Sequence, residues 1–139
     1  MYYEFDITVP AGTTETNATE TIQKIQRGVI TYAEVQFPDG CVGLVKLRGF
    51  LNATQIWPRN KEGYVHGNND VVPINEYLEV GRGKNTLRFK TWNDDDTYSH
   101  TLTVRITVSD PDIFNPTRVF ERLAVDLEKL LRRIRALDS

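Results

Sequence analysis

"YSHTLTVRITV", residues 98–108, sets Tyr98, His100, Leu102, Val104, Ile106 and Val108 on one side and Thr101, Thr103, Arg105 and Thr107 on the other. Successive side chains of a strand point to opposite faces, so this alternation predicts a strand with one face in a core and the other in water. One such strand cannot bury its apolar face alone. The rest of the chain must supply partners of the same kind.

It does so repeatedly. "NTLRFKTW", residues 85–92, aligns Leu87, Phe89 and Thr91, and residues 3–9 align Tyr3, Phe5, Ile7 and Val9. Residues 29–37 set Val29, Ala33, Val35 and Phe37 against Glu34 and Gln36, and "PDG" at residues 38–40 ends them with turn chemistry that suggests a hairpin. "CVGLVKLRGF" and "ATQIWP" add two strands, the second stopped by Pro58. "VVPINEYLEV" adds another, which Pro73 marks as an edge strand because it has no N–H to donate. Residues 13–23 read as a polar connector. Seven or eight short strands joined by turns predict a mainly β domain over residues 1–110, an antiparallel, jelly-roll-like β-sandwich.

After "SDPDIFNP" the period changes. Asn115 suits an N-cap and Pro116 the first helical turn, and the spacing predicts a helix over residues 116–137 within a C-terminal appendage, residues 111–139. Phe120, Leu123, Leu127, Leu130, Ile134 and Leu137 are spaced 3, 4, 3, 4, 3, with Val119 and Leu131 widening the stripe. That is a heptad seam. It must be covered either by the protein's own sandwich or by another chain, and its regularity together with the surrounding basic residues favours another chain.

Composition narrows the function. The chain has 139 residues, a hydrophobic fraction of 40% and a formal charge of −2, which gives no general field for nucleic acid. Cys41 is the single cysteine, so no internal disulfide is expected. No apolar run approaches the length of a membrane span, and the first ten residues lack the pattern of a secretory signal, so folding in a cytoplasm is expected.

The residues that carry chemistry elsewhere are sparse. Asp94, Asp95 and Asp96 are adjacent, whereas a calcium site needs about six to eight converging oxygens, so the triplet reads first as a solvated hairpin loop and only weakly as a metal site. His66 and His100 have no ligand-spaced neighbours, and "VGRGKN" at residues 80–85 lacks P-loop spacing. No cofactor and no catalytic group is expected. Trp57, Tyr64 and Trp92 are candidates for an aromatic platform that stacks on a sugar, against the plainer alternative of core packing.

"QFPDGCVGLV", "QIWP" and "WNDDDTYSHTLTV" lie in a stretch, roughly residues 1–110, that resembles small β-rich structural proteins of tailed double-stranded DNA phages and prophages. The resemblance implies a virion component, a decoration, neck or tail accessory protein, that binds itself or neighbouring virion subunits and performs no chemistry. The C-terminal helix is outside it. A monomeric carbohydrate-binding module is the competing expectation.

Overall fold

The computed structural model describes residues 1–111 and 116–138. Eight strands precede one helix: β1 (Tyr2–Val9), β2 (Thr19–Ile25), β3 (Gly28–Phe37), β4 (Val45–Leu51), β5 (Thr54–Trp57), β6 (Asp70–Val80), β7 (Asn85–Asn93), β8 (His100–Ser109) and α1 (Pro116–Leu137). Asn115, the expected N-cap, lies outside the described residues.

Two four-stranded antiparallel sheets form, in the orders β1-β8-β3-β6 and β2-β7-β4-β5. Every connection between consecutive strands except that from β4 to β5 crosses between sheets, which is the winding of a jelly roll. Two local expectations are corrected by this. Residues 38–40 do not close a hairpin, because β3 pairs with β6 and β8 while β4 pairs with β5 and β7. Nor is the Asp94–Asp96 segment a hairpin loop, since β7 and β8 belong to opposite sheets. Turn chemistry reverses a chain but does not say whether the next strand pairs beside the last or faces it across the core.

The inner faces meet as the alternation requires. Leu102, Val104, Ile106 and Val108 of β8 and Val35 and Phe37 of β3 are buried against Val45 and Leu47 of β4 and Leu87 and Phe89 of β7. Cys41 is buried with them, the small core residue that its isolation suggests. At Gly49, an added Cβ would lie 3.1 Å from Trp57 Cε3, so glycine here lets the indole lie flat against β4. A bulge between Ile30 and Tyr32 shifts the β3 register, which is why Ile30 and Ala33 both face inward.

β2 was hidden in the expected connector. Its inward positions are Thr19, Thr21 and Gln23 until Ile25, while the larger apolar residue Ile22 points outward and is exposed. Hydrophobic alternation therefore has the wrong sign there. What holds β2 is its full ladder with β7, from Thr19 opposite Thr91 to Ile25 opposite Asn85. Edge β6 carries Pro73 as expected, and Tyr98 sits outside β8 and is exposed.

Candidate functional site

The apolar surface that the fold leaves open is on α1. Exposure at its seam is 69% for Phe120, 57% for Leu123, 58% for Leu127, 52% for Leu130, 47% for Ile134 and 84% for Leu137. At 1.5 Å per residue the helix is about 33 Å long. Glu128 accepts from Arg132 at 2.9 Å one turn on, on the side away from the seam, and Arg135 stands in the last turn where a cation favours the helix dipole. Each large apolar side chain gains about 1.5–3 kcal/mol on passing from full exposure to full burial. The stripe is therefore strongly favoured to find a cover.

The acidic triplet is tied into its own loop and the neighbouring strands. Its carboxylates diverge: Asp94 pairs with Lys46, Asp96 accepts from the Thr97 hydroxyl at 2.9 Å, and Asp95 turns inward. Asp95 Oδ1 accepts from the backbone N–H groups of Thr97 (2.9 Å) and Tyr98 (3.2 Å), and Oδ2 lies 2.9 Å from His100 Nε2. The His100 bond and these two backbone donors hold the Asp95 carboxyl below its ordinary value. Behind it, fully buried Asn93 donates to the carbonyls of Val9 (3.3 Å) and Tyr98 (2.9 Å) and accepts from Asp95 N (2.9 Å). The cluster fastens the β7–β8 crossing to the end of β1. Among the described residues no group of three or more His, Cys, Asp or Glu side chains is placed to hold a metal ion.

The three aromatic candidates separate. Trp57 faces the core, 3% exposed and 6.3 Å from the Phe89 ring centroid, so it offers no platform, and its indole N–H is buried without an acceptor among the described residues. The reason is a bulge: Gly49 of β4 pairs with Trp57 and Phe50 with Gln55, so Ile56 is an extra residue in β5, and Trp57, opposite the inward-facing Gly49, is buried together with Ile56. Trp92 points to the outer side of β7 but is only 4% exposed, with the Arg48 guanidinium 4.9 Å from its ring and Tyr64 edge-on at 6.0 Å. Tyr64 alone is substantially exposed.

The outer face of the β2-β7-β4-β5 sheet was not anticipated. Its outward strand positions include Lys24, Lys46, Arg48, Arg88 and Lys90 against Glu20, and Phe50 lies beneath Arg88 and Lys90, 5.2 and 5.3 Å from its centroid. Glu15, Glu20 and Asp94 pair with Arg48, Arg88 and Lys46. A shallow cleft of about 490 Å³ opens there, lined by Arg48, Phe50, Gln55, Lys61, Lys90 and Trp92 among others. The signal was present in the polar phase of β4 and β7, where cations recur every second residue. It requires the pairing of those strands to become one surface.

No helix among the described residues is long and apolar enough to cross a membrane. No protein-family model matches the chain, and no curated protein matches it.

Proposed function

We propose that this chain is a non-enzymatic assembly protein, a component of a phage virion of the decoration, neck or tail-accessory kind, in which the jelly roll is the rigid body and α1 binds a copy of itself or a neighbouring subunit. The observation that carries the reading is the open seam from Phe120 to Leu137 on a helix whose polar side is already served by its own ion pair. A heptad stripe of this width is the form in which helices recognise other helices. The resemblance of residues 1–110 to phage structural proteins supports placing that assembly in a virion.

The test is the double substitution Leu127→Asp with Leu130→Asp. Two carboxylates in the seam should reduce the full chain from a defined oligomer to a monomer. The fluorescence of buried Trp57 and Trp92 should stay as in the wild type, because the sandwich is complete without those residues. An unchanged mass would remove the seam as the contact.

A carbohydrate-binding module is the second reading, favoured by the cleft over Phe50 and Trp92. It predicts a glycan-dependent change in tryptophan emission that Arg48→Ala alters. Silence across a broad glycan panel argues against it.

A further inference from the structure

We infer that the partner of α1 is the same helix of a second copy running antiparallel, in a two-fold dimer centred between Leu127 and Leu130. This rests on the assembly reading and specifies its partner and geometry. With Phe120, Leu127 and Ile134 at one seam position of the heptad and Leu123, Leu130 and Leu137 at the other, a two-fold axis at the helix midpoint brings Phe120 opposite Leu137, Leu123 opposite Ile134, and Leu127 opposite Leu130 of the other copy. All six seam residues then lie in paired layers with none left over.

The seam alone is equally satisfied by a parallel pair, so the flanking residues decide. In the antiparallel pair Asp126 of each copy lies beside Arg133 of the other, twice by symmetry, while Ala124 meets Leu131 on the opposite flank and extends the apolar contact. In the parallel pair Asp126 lies against Leu131 of the other copy, and Arg133 lies against Asp138. Parallel alignment also sets Lys129, Arg132, Arg133 and Arg135 beside their own copies with only Glu128 and Asp138 in the same half of the helix. The antiparallel pair sets that cationic half against residues 116–127, which carry two acids and two bases. Charge and packing agree on one orientation.

A charge swap in the full-length protein distinguishes the two. Asp126→Arg and Arg133→Asp, each alone, convert two attractive pairs into two repulsive ones and should weaken dimerisation by about tenfold or more in sedimentation equilibrium. The double variant restores opposite charges and should return the dissociation constant to near the wild-type value. A double variant as weak as the product of the singles overturns the antiparallel pairing.

Cysteine pairing gives a second measurement that does not depend on charge. Phe120→Cys mixed with Leu137→Cys should form a mixed disulfide under mild oxidation, whereas Phe120→Cys alone should not, because its two copies would be about 25 Å apart along the dimer. Self-linked Phe120→Cys would show parallel helices. A dimer with these contrary results overturns only the orientation, whereas a monomeric wild type overturns the assembly reading with it.

Discussion

The same chemical change made at two leucines should have opposite consequences. Leu87 is fully buried on the inner face of β7, and Leu127 is 58% exposed on α1. Replacing Leu87 by Ala removes methyl groups from a close-packed core and leaves a cavity, at a cost of about 2–5 kcal/mol. For a domain of about 110 residues each kcal/mol shifts the thermal midpoint by about 4–5 °C, so the loss should be about 8–25 °C. Replacing Leu127 by Ala leaves no cavity within the monomer, and leucine and alanine are both good helix formers, so the cost to the sandwich is below about 0.5 kcal/mol. The effect should appear instead as a weaker association between chains. The assay is tryptophan fluorescence during heating, with Trp57 and Trp92 reporting the sandwich from within it, paired with light scattering on the same samples. A fall in midpoint for dilute, monomeric Leu127→Ala comparable with that of Leu87→Ala would refute the reasoning, since it would mean that the helix stabilises its own sandwich.

Other substitutions test the joints of the fold. Gly28→Ala would bring a Cβ to 2.5 Å from Val108 Cγ1 and 2.8 Å from the Ser109 carbonyl oxygen, and should destabilise by about 1–3 kcal/mol in urea unfolding. Asn93→Ala strands two carbonyls and one N–H at the β7–β8 crossing and should lower the unfolding free energy by at least about 2 kcal/mol. Val42 is 70% exposed at a φ of 49°, a conformation unfavourable for a β-branched residue, so Val42→Asn should raise the thermal midpoint slightly. Because the Asp95 carboxyl is held below its ordinary value of 3.8 when folded, its contribution is complete above that value and is lost as pH falls through the lower folded one. Asp95→Asn should therefore flatten the acid limb of the stability curve below about pH 4, as measured by urea unfolding at stepped pH.

The architecture was legible wherever a strand carries strong alternation on a buried face. β1, β3, β7 and β8 announce themselves this way, and α1 does so by its change of period. β2 could not be read because threonine and glutamine occupy its inward positions and an isoleucine its outward ones; a ladder partner, not hydrophobicity, defines it. The sheet crossings after Phe37 and Asn93 were equally invisible, since the same turn residues serve a hairpin and a corner.

The candidate surfaces divide in the same way. The seam of α1 lies within one segment of sequence, and each of its members is where the spacing places it. The cationic outer face is assembled from residues of β2, β4 and β7, so it exists only once those strands pair. Parity was readable for Leu87 and Phe89, whereas the inward direction of Trp57 follows from a bulge opposite Gly49 that no spacing in the sequence announces.

The most direct measurement is the solution mass of the full chain, by sedimentation equilibrium or light scattering across a dilution series. The account predicts twice the 16.0 kDa monomer mass, falling toward the monomer on dilution while tryptophan emission stays constant. A chain that remains monomeric up to concentrations of hundreds of micromolar would contradict it.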